Sequence, residues 1–204
     1  MGSGPVAGVD EVGRGALAGP IVAAAVVLPE SDGPALRRLR AMLRGLRDSK
    51  LLDPGDRARL AARVLDVADG VGLGAVPSWD IDAVGIAAAN RIVMERAIHS
   101  LPSSPGALLL DAFTTDSAMP QCALVRGDQH SVSIAAASIV AKVTRDALMA
   151  DLDALDDRFG FAIHKGYGTP AHLAAIQRYG PGPSHRRSFG PVRDFSRTSR
   201  DMDR

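Results

Sequence analysis

The chain has 204 residues, 46% of them apolar and only 4% aromatic, with a formal net charge of +1. This is enough apolar mass for one core made mostly of Ala, Val, Leu and Ile, and too much for a disordered chain. The longest apolar run, Ile21 to Leu28, is too short to span a bilayer, and the start lacks the basic leader of a secretory signal. The single cysteine, Cys122, excludes an intrachain disulfide and a thiolate cluster for zinc, and fits a reducing cytoplasm.

Pro5 to Asp10 reads as a short buried strand, and Gly13 to Pro20 as a turn-rich connection. Ile21 to Leu28 is a second strand with no polar face, so both of its sides are expected to be covered. Pro29 to Pro34 is a loop, and Ala35 to Leu46 a basic amphipathic helix. Asp53-Pro54, a cap followed by a first-turn proline, starts a helix to about Val67. Gly70 to Val76 is a glycine-rich strand. Ile81, Val84, Ala88, Ile92 and Ala97 recur near helical spacing and predict one helix from about Asp80 to His99. After the break at Pro102 to Gly106, Ala107 to Asp111 is a buried strand ending in a carboxylate. Cys122 to Val125 is another short strand, with Cys122 expected as a small buried apolar group. Ile134 to Asp153 predicts a long helix, and Thr169-Pro170 starts the next, which stops near Gly180. From Pro181 the chain is rich in Pro, Gly, Arg and Ser and is expected to lie over the surface. This order of strands and helices predicts a single mixed-sheet α/β domain over residues 1–204, in which about 165–204 could form a small C-terminal helical subdomain or tail.

Among 24 basic residues only Lys50, Lys142 and Lys165 are lysine, while Arg186 to Arg204 holds six arginines against three aspartates. A chain that writes its positive charge as arginine keeps a compact ammonium at three points, either for phosphate or by chance placement.

Asp10 and Asp111 each close an apolar strand; if those strands are neighbours, both carboxylates reach one sheet edge. Period-two geometry sends Asp10 and Glu11 to opposite sides, so sharing a site requires the chain to leave β geometry at Glu11, which Gly13 permits. Asp128 in Arg126-Gly127-Asp128-Gln129 is a fourth carboxylate, or a turn residue. Carboxylates without histidine or thiolate suit magnesium or manganese. Two such ions roughly 4 Å apart can activate a water and stabilise the departing oxygen of a phosphodiester. The plainer alternative makes these acids caps and turn residues. Gly13-Arg14-Gly15 is neither a dinucleotide fingerprint nor a Walker loop. Its glycines let a ligand approach the backbone while Arg14 reaches a phosphate, or it is an ordinary turn. Tyr167, between Gly166 and Gly168, either stacks on a base or sugar or anchors the following helix. His130, His164, His172 and His185 lack HExxH spacing and are expected in loops or at the surface.

Taken together, these segments resemble the type 2 ribonuclease H family, most closely its bacterial ribonuclease HII members. The resemblance is carried by Ala7-Gly8-Val9-Asp10-Glu11-Val12-Gly13-Arg14-Gly15, Leu17-Ala18-Gly19-Pro20, Asp48-Ser49-Lys50 and Gly127-Asp128. It continues through Ala135 to Asp146, His164-Lys165-Gly166-Tyr167-Gly168-Thr169 and His185-Arg186-Arg187-Ser188-Phe189. The resemblance implies a ribonuclease H-like mixed sheet flanked by helices, with a C-terminal helical extension. It implies cleavage of RNA in RNA/DNA hybrids, and of duplex DNA 5′ of a single embedded ribonucleotide, leaving 3′-hydroxyl and 5′-phosphate ends. It also implies two divalent cations, Mg2+ or Mn2+, on Asp10, Glu11, Asp111 and Asp128. Gly13, Arg14 and Gly15 would read the ribose 2′-hydroxyl, and Tyr167 would bond it and stack beside it. Lys50, Lys142, Lys165, Arg186 and Arg187 would contact phosphates. A cytoplasmic monomer without membrane attachment is expected, and a sliding clamp partner is left open. One departure stands next to a metal carboxylate: the family commonly has Asp-Gly-Asn where this chain has Asp111-Ala112-Phe113. The rival readings are a type 1 ribonuclease H, which needs several consecutive ribonucleotides, and a non-catalytic nucleic-acid binder, for which clustered carboxylates are badly placed.

Overall fold

The apolar runs on either side of Gly13–Pro20 pair with each other. In the computed structural model, which describes residues 4–46 and 52–195, β1 (Val6–Val12) lies antiparallel to β2 (Ile21–Val27). All seven residues of β2 are buried, as its lack of a polar face requires. β3 (Gly70–Val76), β4 (Ala107–Asp111) and β5 (Gln121–Leu124) complete a sheet of order β3-β2-β1-β4-β5. β4 runs parallel to β1, and β5 parallel to β4, so the sheet is mixed.

The helices are α1 (Gly33–Met42), α2 (Pro54–Val67), α3 (Ser78–Val84), α4 (Ile86–His99), α5 (Gly127–His130), α6 (Val132–Leu155), α7 (Phe161–His164) and α8 (Pro170–Tyr179). Asp53 caps α2 by accepting from the Asp56 N–H at 2.8 Å, and Thr169 caps α8 by accepting from the His172 N–H. The single helix expected over Asp80–His99 is two: Gly85, at φ +80°, ends α3 and redirects the chain into α4. Glu11 also departs from expectation. The ladder continues through Glu11 and Val12, and regular geometry is left only at Gly13. Cys122 is exposed rather than buried, because β5 is a short edge strand left open on both faces at its two middle residues.

The chain divides into two compact units, the first comprising Met1–Val12, Val22–Ala75 and Arg91–Val143. Its main core joins Ala24 and Val26 of β2 to Leu60, Ala61 and Val64 of α2 and to Ala135–Ala137 and Ile139–Ala141 of α6. β3 is glycine-rich for a packing reason, since a Cβ at Gly72 would overlap the Ala97 carbonyl of α4. The second unit comprises Gly13–Ile21, Val76–Asn90 and Thr144–Arg204. Among its described residues are two small cores, one of Ala18, Met149, Phe159 and Phe161, the other of Leu17, Ile176 and Val192.

At the end of β4 the backbone is strained: Ala112 has φ +61°, a conformation natural to glycine. Its N–H donates to the Leu124 carbonyl at 3.0 Å, which holds it there. A Cβ in this region costs about 1 kcal/mol. Ala112→Gly is therefore expected to raise the thermal midpoint by about 2–4 °C. An unchanged or lowered midpoint would show that the surroundings already relieve the strain.

Candidate active site

β1 places Asp10 by simple alternation. Gly8 and Asp10 share a face, and Gly8 has no side chain because a Cβ there would overlap Ser133 and Ile134 at the start of α6. That close approach brings Ser138, one helical turn further on, within hydrogen-bonding reach of the Asp10 carboxyl. Asp10 is 6% exposed, and one of its oxygens also accepts from the Glu11 N–H at 2.8 Å. Val9 is registered with Leu110 in β4, so Asp10 and Asp111 follow side by side, as their shared place at strand ends predicts. The Asp111 carboxylate accepts from the Gly127 N–H at 2.8 Å, which fixes the start of α5 and therefore Asp128, itself buried.

Burial pushes the Asp10 carboxyl up to about 8; the carboxylates of Glu11 and Asp111 push the same way, while the Ser138 hydrogen bond pulls it back. Among the described residues, no three acidic, histidine or cysteine side chains as placed enclose an ion. The donor set still fits a hard divalent cation. It is all oxygen, and Asp10 is held where only a positive charge would keep it ionised at neutral pH. When bound, such an ion supplies a polarised phosphoryl oxygen and a more acidic water.

The second unit holds the glycine loop. Leu17 N–H donates to the Gly166 carbonyl at 2.8 Å, Gly19 N–H to Ser184 at 2.9 Å, and Arg186 N–H to Leu17 at 2.8 Å. Ala18 forms a β-bridge with His185. Gly13 is buried at φ +90°, and a Cβ on it would overlap the Arg145 guanidinium. Gly15 is exposed, with nothing within 4 Å of where a Cβ would stand. Tyr167 is 36% exposed, at the mouth of the Lys165–Gly168 turn.

Arg186, expected at a phosphate, is fully buried and serves the loop instead. Its Nε and Nη2 donate to the Gly19 carbonyl at 3.1 and 3.0 Å, and Nη1 to that of Arg14 at 2.9 Å. Burial, then the neighbouring Arg145, pushes its pKa down to about 9, which leaves it charged at neutral pH. The Lys165 ammonium donates to the Ala162 carbonyl at 2.7 Å. Arg187 is exposed, its N–H held by Asp82 at 2.7 Å, and Lys142 is half-buried on α6. Lys50 lies outside the described residues.

His172, in α8, and His185, in the loop that follows it, are both buried, where loop or surface positions are expected from the sequence. The His164 Nδ1 accepts from the Gly166 N–H at 3.2 Å, so its Nε2 carries the proton donated to the Phe159 carbonyl at 2.7 Å. The His172 Nδ1 donates to the Tyr167 carbonyl at 2.9 Å, so its Nε2 accepts from the His185 Nε2 at 3.0 Å. The His185 Nδ1 is left buried without a partner. Burial first, then His172, holds His185 down at about 4, and burial lowers His172 too. An imidazole kept below its ordinary value binds fewer protons folded than unfolded between pH 6.5 and about 4. Stability is thus full above pH 6.5 and lost as pH falls through that window, by on the order of 3 kcal/mol. Urea titrations of wild type and His185→Gln at pH 7.5 and 5 should show the wild type losing more; parallel losses would clear His185 of the effect.

The family model for Ribonuclease HII matches residues 7–192. The ribonuclease HII of Chloroflexus aurantiacus is 52% identical over 188 residues, covering 92% of this chain and 87% of that protein. The crystal structure of ribonuclease H2 from Pyrococcus horikoshii superposes with a TM-score of 0.80 at 29% identity, covering 96% of this chain and 98% of that one. The RNase HII of Archaeoglobus fulgidus, solved as a complex with PCNA, superposes at 0.74 with 23% identity, covering 91% of this chain and 95% of that one. At that identity it shows the fold alone.

Proposed function

We infer how labour is divided in this molecule from one premise: the chain belongs to the ribonuclease HII family. It is a metal-dependent endoribonuclease acting on RNA/DNA hybrids and on duplex DNA that contains ribonucleotides. In our reading it cuts on the 5′ side of a single ribonucleotide and leaves 3′-hydroxyl and 5′-phosphate ends. Asp10, Asp111 and Asp128 would hold two cations, Mg2+ or Mn2+, and Glu11, which the backbone does not turn toward them, would join by its longer side chain reaching round the end of the strand. The observation that supports this most is Asp10, buried and pushed up to about 8 beside two further acids. A fold that makes a carboxylate so hard to ionise tolerates it for the cation it takes up.

Gly13, Arg14 and Gly15 meet the 2′-hydroxyl with main-chain groups, and the Tyr167 hydroxyl supplies a side-chain contact. A site that hydrogen-bonds a hydroxyl rejects the deoxy analogue by a wide margin, because its polar groups are then left unpaired. Arg14, Lys142, Lys165, Arg187 and Lys50 hold the phosphates without reading sequence. Arg186 acts one step behind them, as a brace of the loop. No described helix is long and apolar enough to cross a membrane. With nucleic acid as substrate, we place the chain in the cytoplasm as a monomer; a clamp partner forms no part of the reading.

The test is gel-resolved cleavage of an end-labelled DNA duplex containing one ribonucleotide, with Mg2+ or Mn2+ and an EDTA control. A metal-dependent cut immediately 5′ of the ribonucleotide is expected. Cleavage confined to long hybrids would remove the single-ribonucleotide reading and leave the carboxylate site in place.

A further inference from the structure

Two groups assigned to the ribose, the Gly13–Gly15 loop and Tyr167, lie about 150 residues apart in the chain, yet one buried side chain touches both. Arg145, on the C-terminal part of α6, is fully inaccessible to solvent. Its Nε donates to the Pro20 carbonyl at 2.9 Å and its Nη2 to the Ala18 carbonyl at 3.3 Å. The guanidinium fills the space that a side chain at Gly13 would occupy. Its Cζ lies 5.4 Å from the centre of the Tyr167 ring. The remaining nitrogen, Nη1, is buried with no hydrogen-bond partner.

That is an expensive place for an arginine. A buried guanidinium is normally fully bonded or paired, and burial lowers the affinity of this one for its proton. The planar cation can do what no apolar residue of its volume could: bond carbonyls along one edge while presenting a face to an aromatic ring. Arg186 gives the contrast. It bonds the same loop, through Arg14 and Gly19, but its guanidinium lies over Phe189, at 5.1 Å, rather than over Tyr167.

We propose that Arg145 is a specificity-determining positioning residue, which locks the Tyr167 ring to the Gly13–Pro20 loop so that the two halves of the ribose reader are set as one body. This rests on the reading of Tyr167 and the loop as that reader. Recognition of one hydroxyl by groups from distant segments needs both held to within about 0.5 Å. The hydrogen bonds of Arg145 fix one half, and its cation–π contact fixes the other.

The test compares wild type, Arg145→Lys, Tyr167→Ala and the double variant. For each, the rate on a single-ribonucleotide duplex is divided by the rate on a uniform RNA/DNA hybrid, with the melting midpoint recorded alongside. Lysine keeps the charge and loses the planar face. Arg145→Lys is expected to lower the ratio about tenfold, the scale of a desolvated cation–π contact. The double variant should fall no further than Tyr167→Ala alone. If Arg145→Lys does not fold, Arg145→Gln, which keeps a donor for the carbonyls, takes its place with the same expectation. Equal losses on both substrates, or a double variant whose loss is the product of the single ones, would overturn the link while leaving the reader intact. A Tyr167→Ala protein with the wild-type ratio would instead overturn the reader itself.

Discussion

Asp10→Asn should abolish cleavage, with a loss of about 1,000-fold or more on every substrate, while duplex binding persists. Asparagine preserves the shape and the Ser138 contact but removes the charge that attracts the cation. The several kcal/mol of charge stabilisation a bound ion supplies correspond to at least that factor. Stability should move the other way. A carboxyl raised from its ordinary 3.8 to about 8 binds more protons folded than unfolded between those limits. Its contribution is therefore full below the lower limit and lost as pH rises to the upper. Without a cation, Asp10→Asn should accordingly melt higher than wild type at pH 8.5, by the equivalent of a few kcal/mol at most. Adding Mn2+ should raise the midpoint of the wild type and not of the variant. Differential scanning fluorimetry with and without Mn2+ reads both effects. A cation-induced rise surviving in the variant would remove Asp10 from the ligand set.

The second large effect separates two glycines two residues apart. Gly13→Ala should damage the fold and the chemistry together, because a Cβ there is strained at φ +90° and overlaps the Arg145 guanidinium. Strain of this kind costs about 1–3 kcal/mol before any displacement of Arg145. Gly15→Ala should leave the midpoint unchanged, since nothing lies within 4 Å of the added methyl. It should nonetheless slow cleavage at a single ribonucleotide by about 100-fold, the scale of losing one preorganised donor contact. The fold has no steric use for a glycine at that position, so on our reading its reason lies in the ligand. Full activity in Gly15→Ala would mean that the loop meets no substrate there.

Much of this was legible in the residues. Ile21 to Leu28 read as a strand covered on both sides, and the Asp53-Pro54 and Thr169-Pro170 signals start α2 and α8 where they stand. Asp10 and Asp111, read as neighbours because each closes an apolar run, are neighbours. What escaped was set by partners far away in sequence. Glu11 stays in β geometry because Ala23 pairs with it, and nothing local in Val9–Gly13 announces that. The histidines read as surface residues because no spacing rule covers imidazoles that bond one another from α8 and from residue 185. Arg186 read as a phosphate contact, and Arg145 drew no reading of its own, because a fully buried arginine is rare. For Arg145 a signal existed: Ala141, Arg145 and Met149 recur at four-residue intervals, and all three are fully buried. A helix face that is otherwise apolar was carrying a cation.

The bonds that hold the loop also order its assembly in time. Leu17, Ala18 and Gly19 take their partners from Gly166, Ser184, His185 and Arg186. At 5–20 residues per second, a ribosome delivers those partners some ten seconds or more after the loop has emerged. Until then the segment that we read as distinguishing ribose from deoxyribose lacks these bonds, even while the strand carrying Asp10 can already pair with β2. On our reading a nascent chain would thus hold its acids before it holds its discrimination, and the arrival of Gly166 to Arg186 would convert the one into a tool for the other.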